Sequence, residues 1–197
     1  MKSDEIFLSK DTSSLSKILD EVEKAAAYSS VDKKSTLRLR LLAEELVEML
    51  PSLLEFTNGK FWIENEGKEF ELHTTLIPDE KLDFLLRDRL LEISKSGKNA
   101  AAKGILSKIK LAATFMMIDS EETVGFTEPF YDTGLITKDY TYSTVWSLQT
   151  YREKERAKKD ENWDELEKSI IANLADDVLV GLQGDQVDII VKKTVES

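Results

Sequence analysis

The chain has 197 residues, with 38 acidic side chains against 27 basic ones, a single histidine and no cysteine. A net charge of −11 opposes nucleic acid or an anionic membrane as the main partner, because both are polyanions. The missing cysteines exclude disulfides, thiol chemistry and thiolate metal sites, and a lone histidine excludes a histidine metal cluster.

The first stretch, MKSDEIFLSKD, lacks the apolar core of a secretory signal. No apolar run approaches the roughly 18 residues of a membrane span. A cytoplasmic protein of one domain, residues 1–197, is expected. Residues 5–9 centre on Ile6, Phe7 and Leu8 and predict a short strand. Residues 11–14 are rich in helix-capping types, and Leu15, Ile18, Leu19 and Val22 follow at helical spacing. That helix is expected to reach residue 27.

A second helix begins between residues 31 and 35 and carries the strongest periodicity in the chain. Leu39, Leu42, Ala43, Leu46, Met49, Leu50 and Leu53 fall on one stripe. Arg40, Glu44 and Glu48 lie opposite. Glu45 sits at the rim of the stripe, a half-sheltered place for a functional acid or for an ion pair with Arg38.

Asn58-Gly59 reads as a turn. Residues 61–64 and 70–76 then predict a hairpin over Glu66-Gly67, with Phe70, Leu72, Thr74 and Leu76 on one face and His73 on the other, solvated. Pro78-Asp79 opens a third helix with Leu82, Leu85, Leu86, Leu90 and Ile93. Next comes residues 94–109, SKSGKNAAAKGILSKI, a basic loop running into a fourth helix with Ile109, Ala112, Ala113 and Met116. A helix N-terminus offers unpaired N–H groups and a partial positive charge, so Lys98, Asn99, Lys103 and Gly104 form a candidate anion or nucleotide site. The stretch has no Walker pattern, and a plain surface loop is the alternative.

Residues 120–139 read as irregular, with Phe126, Phe130 and Tyr131 available for packing or for a partner. Residues 140–149 alternate, with Tyr142, Thr144, Trp146 and Leu148 on one side, and predict a strand. Residues 152–164 are charge-dense, a solvated connection or helix start. Residues 164–174 predict a helix. Residues 177–182 and 187–193 predict a final hairpin over Gly184-Asp185. This order argues for an α+β two-layer sandwich, a mostly antiparallel mixed sheet with helices on one face.

Strand, helix, LRLRLLAEELVEML and hairpin together resemble the GHKL (Bergerat) ATPase fold of histidine kinases, and most closely the anti-sigma-factor serine kinases. The resemblance places Glu45 on the family's helix-two glutamate, the catalytic base in an active member. It places Met49 where the family has a magnesium-binding asparagine, and a thioether does not ligate a hard cation. The base-reading aspartate is matched by Asp79 only with a shifted register, and no glycine follows it. Lys103-Gly104-Ile105-Leu106 resembles the family's glycine-rich lid with one glycine. The aromatic segment 120–150 has no counterpart.

The resemblance implies a regulatory protein with a degenerate histidine-kinase-like fold. Such a protein would dock a protein partner and hold ATP or ADP without efficient turnover, with no magnesium ligand set. Two alternatives stay open. One is an active anti-sigma-type serine kinase or ATPase, with Glu45 as base. The other is a ligand-free interaction module whose aromatics in 126–151 form the contact surface.

Overall fold

The computed structural model describes residues 1–9, 12–79, 136–137, 145–158, 169–183 and 186–196, with Ile109 and Ala113. Strand β1 (Ile6–Leu8) leads through a short 3₁₀ turn (Thr12–Ser14) into α1 (Leu15–Tyr28) and α2 (Lys33–Leu53). The hairpin β2 (Phe56–Glu66) and β3 (Glu69–Pro78) follows. Then come β4 (Ile136–Thr137), β5 (Val145–Ser147), α3 (Leu148–Lys158), α4 (Ile170–Leu174) and the hairpin β6 (Asp177–Gln183) and β7 (Gln186–Thr194).

The strands form one sheet in the order β1-β2-β3-β7-β6-β5-β4. Every described pairing is antiparallel, so the expected mixed character is absent among the described strands. The α+β two-layer expectation holds. Side chains alternate across a sheet, so each strand gives one row to the helices and one to the other face. Phe61, Ile63, Phe70, Leu72, Leu76, Val178, Val180, Val187, Ile189 and Val191 form the inner row and are buried.

The helices cover that row. In α1, Ile18, Val22, Ala25 and Ala26 are buried; in α2, the predicted stripe is buried throughout. Asp32 caps α2, its carboxylate accepting the N–H of Lys34 at 2.8 Å and of Ser35 at 3.1 Å. The β2–β3 turn is tied to the end of α1, where Asn65 Nδ2 donates to Ser29 Oγ and Lys68 Nζ to the Ser29 and Ser30 carbonyls. No described helix is long and apolar enough to cross a membrane.

Two expectations need correction. Asn58-Gly59 is not a turn: it lies inside β2, opposite Ile77 and Leu76, beside a bulge between Phe56 and Asn58. The predicted strand 140–149 is a strand only over Val145–Ser147 among the described residues, and α3 begins at Leu148. The switch has a cause in Ser147, whose Oγ accepts the N–H of Thr150, while the Asp177 carboxylate accepts that of Gln149. Residues 152–158 are helical, in line with the helix start that the sequence left open beside a connection. Asp79 is also tied back to the sheet, its N–H donating to the Glu55 carbonyl and its carboxylate accepting the Thr57 hydroxyl.

Of the predicted fourth helix, Ile109 and Ala113 are described; both are helical and buried in the core. The predicted third helix at 82–93 and most of the segment 120–150 lie outside the described residues.

Candidate functional site

Glu45 stands on the outward rim of α2, half-buried, and both its oxygens are engaged. Oε1 accepts the Ser169 hydroxyl at 3.0 Å and Oε2 accepts the backbone N–H of Ile171 at 2.7 Å. Ser169 is the N-cap of α4 and accepts the N–H of Ala172. Glu45 thus completes the cap, satisfying donors at the start of α4 that helical geometry leaves without partners. The other end of α4 is held by Arg152 of α3, which donates to the carbonyls of Ala172, Ala175 and Asp176. An anion at the N-terminus and a cation at the C-terminus both match the helix dipole. The Ser169 and Ile171 contacts take the place of the expected pair with Arg38.

Met49, which the resemblance sets against a magnesium-binding asparagine, is 9% exposed and belongs to the core. Lys98, Asn99, Lys103 and Gly104 lie outside the described residues. The structure therefore describes Glu45 but not the loop expected to face it. Among the described residues, no group of three or more His, Asp or Glu side chains is arranged to hold a metal ion.

The other face of the sheet carries a second constellation. Lys60, Trp62 and Glu64 of β2 project there, as do Glu71, His73, Thr75 and Ile77 of β3 and Asp188 and Ile190 of β7, by the period-two rule. The Trp62 and His73 rings stack across the strands, 4.9 Å apart and 9° from parallel. Lys2 Nζ lies 4.7 Å from the Trp62 ring centre. The indole N–H donates to Glu64 Oε1 at 2.8 Å, and His73 Nε2 lies 3.1 Å from Glu71 Oε2.

Three ion pairs lie on this face: Lys2 with Glu64, Lys60 with Glu5 and Lys192 with Glu71. The Trp62 hydrogen bond holds the Glu64 carboxyl below its usual range. Burial pushes the His73 imidazole below its usual value, against the pull of Glu64 and Glu71. The side chain of His73 is 12% exposed, so the solvated strand histidine expected from the sequence is a sheltered, stacked one.

Beside the stack runs a groove of about 570 Å³, walled by Phe7, Trp62, Ile77 and Ile190 and floored by Thr75 and Asp188. The Thr75 hydroxyl donates to Asp188 at 2.5 Å. Exposure across this row falls steeply, from 74% at Phe7 to 9% at Asp188. A concavity with apolar walls and a few convergent polar groups is a binding geometry. The readable signal for it was the alternation of β2: with Phe61 and Ile63 inward, Lys60, Trp62 and Glu64 had to share the opposite face.

No protein-family model, curated protein or solved structure matches the chain.

Proposed function

We propose that the chain is a regulatory binding protein of degenerate GHKL type, which docks a protein partner and holds a nucleotide without efficient turnover. One observation carries the reading. The carboxylate that the resemblance offers as catalytic base, Glu45, spends both oxygens on the α4 cap. Met49, four residues on, is core rather than metal ligand. A base must reach a substrate proton, and a carboxylate that caps a helix must first give up that cap.

The test is thermal unfolding with ATP or ADP, with and without magnesium, beside an ATP-hydrolysis assay. A ligand that binds only the native state raises the midpoint by mass action. The expected result is a nucleotide-dependent rise that does not need magnesium and is removed by Lys98→Ala with Lys103→Ala, with no hydrolysis. Magnesium-dependent hydrolysis lost in Glu45→Gln would instead make the protein an active kinase or ATPase. No shift at millimolar nucleotide would remove the nucleotide and leave the interaction module. The aromatic groove on the outer sheet face favours that second reading, since aromatic residues anchor protein interfaces.

A further inference from the structure

We propose that Asn58 is a spontaneous deamidation site which the sheet holds inert: its amide is lost only when β2 comes apart at this point, and the isoaspartyl product does not fit back. Such a site is independent of the partner-docking reading.

Asn58-Gly59 is the single Asn-Gly pair in the chain. The reaction is intramolecular. The Gly59 nitrogen attacks Asn58 Cγ, and the side-chain amide leaves as ammonia with the proton that the nitrogen gives up. The product is a cyclic succinimide between the two residues. Water then opens the ring at either carbonyl. One opening gives aspartate; the other gives isoaspartate, whose main chain runs through Cβ and Cγ. Glycine hinders this attack least, because it has no Cβ and the widest choice of backbone angles. Asn58 itself is exposed, so water reaches it.

The sheet withholds the nucleophile. Gly59 is buried, opposite Leu8 of β1 and opposite Leu76 of β3. A residue in an antiparallel ladder points its N–H and C=O together at one neighbour or the other. The Gly59 N–H therefore faces a paired strand on whichever side it points. Ring closure needs the Asn58-Gly59 peptide turned out of its extended shape, with the nitrogen bearing on the side chain. Both flanks of the pair are tied down: Thr57 donates its hydroxyl to Asp79, and Lys60 Nζ donates to Glu5 at 2.8 Å. The place where β2 yields is also marked. A bulge interrupts the β2–β3 register between Phe56 and Asn58, and β1 ends at Leu8, opposite Gly59. Bulges disrupt the ladder locally, and strand ends open at low free energy.

The isoaspartyl product is excluded by space. It lengthens the main chain by a carbon, so strand partners beyond it fall out of register. Gly59 cannot absorb the shift. Even a Cβ built on it would meet Leu76 Cδ2 at 2.8 Å and Leu8 Cβ at 3.2 Å. An ordinary aspartate at position 58 keeps the main chain unchanged and turns its carboxylate to water.

The full chain is incubated at neutral pH, folded in buffer and unfolded in guanidinium chloride. Position 58 is followed by peptide mass spectrometry that separates aspartate from isoaspartate. Isoaspartate should accumulate at least about ten-fold more slowly in the folded chain, since only the opened fraction reacts. Asn58→Gln should remove the signal in both states. After refolding, the isoaspartyl chain should unfold at lower urea than wild type. Asn58→Asp should unfold with wild type, because the side chain is exposed.

Equal rates in the folded and unfolded chain overturn the sheet's control. Absence of isoaspartate at position 58 in the unfolded chain overturns the site itself. An isoaspartyl chain with the urea midpoint of Asn58→Asp overturns the exclusion of the product.

Discussion

The carboxylate of Glu45 and the backbone N–H of Ile171, 126 positions apart, meet at 2.7 Å. This bond joins the middle of α2 to the start of α4. Glu45→Gln keeps the shape and removes the charge, and it leaves one of the two donors facing an amide N–H. The variant should lose about 1–2 kcal/mol of unfolding free energy, the usual worth of a helix cap or a charge-assisted hydrogen bond. Urea unfolding followed by circular dichroism measures it. A loss under about 0.5 kcal/mol, the ordinary range for surface changes, would mean that the contact is not made in solution.

Arg152 holds the opposite end of α4 through three carbonyls. A guanidinium reaches several acceptors at once from one planar fork; an ammonium is a point donor. Arg152→Lys should therefore destabilise by about 1 kcal/mol, and Arg152→Ala by more. Because the two charges bind opposite ends of one five-residue helix, Glu45→Gln and Arg152→Ala should be less than additive. A double-mutant cycle that closes to zero would show that α4 does not link them.

Gly59 is required by space rather than by backbone conformation. A Cβ built there would sit 2.8 Å from Leu76 Cδ2 and 3.2 Å from both Leu8 Cβ and the Thr75 carbonyl. Leu76 is fully buried and Leu8 nearly so, so neither yields freely. Gly59→Ala should cost about 1–3 kcal/mol, the range for overpacking a filled core. Gly67, at φ +58 with nothing within 4 Å of an added Cβ, supplies the contrast. There the cost of alanine is backbone strain alone, which asparagine relieves better than alanine. Chemical denaturation of Gly59→Ala, Gly67→Ala and Gly67→Asn separates the two causes.

His73 makes stability depend on pH. Burial sets its folded pKa below the ordinary value of 6.5. Above 6.5 neither state holds the proton and stability is complete. As pH falls from 6.5 towards the lower folded value, the unfolded chain takes up a proton that the folded chain refuses, and stability falls. Glu64, held below its ordinary 4.5, adds its own loss only at lower pH. The urea midpoint should therefore drop between pH 7.5 and 5.5. His73→Phe keeps a ring against Trp62 and should flatten that drop. An unchanged slope in the variant would move the titration to another group.

Much of the fold was legible because its strongest periodicities are local. The stripe on α2 from Leu39 to Leu53 and the alternation Phe70, Leu72, Thr74, Leu76 each declare a buried face within one element. The misreadings came where local chemistry is ambiguous. Asn-Gly is a turn dipeptide, yet at 58–59 the glycine serves as a gap for Leu76 and Leu8. Thr144, Trp146 and Leu148 alternate like a strand, yet Ser147 and Asp177 cap a helix at Leu148. The partner that decides the second case is 30 positions away from Ser147.

The site was legible only in part. Glu45 was singled out by its place at the rim of an apolar stripe, and the structure finds it at that rim. Its role as a cap depends on Ser169 and Ile171, which no spacing within α2 could reveal. Phe7, Trp62 and His73 come from three strands, and each is unremarkable alone.

The sequence by itself determined which residues are apolar, at what period they recur and how much charge the surface bears. Those quantities set the elements, the two-layer class and the acidic character. Only the tertiary structure decided what Glu45 bonds, which face His73 shares with Trp62, and that β1 is the end strand among the described ones. The reason is physical: burial is encoded residue by residue, whereas a hydrogen-bond partner or a sheet edge exists only once distant segments have been brought within reach.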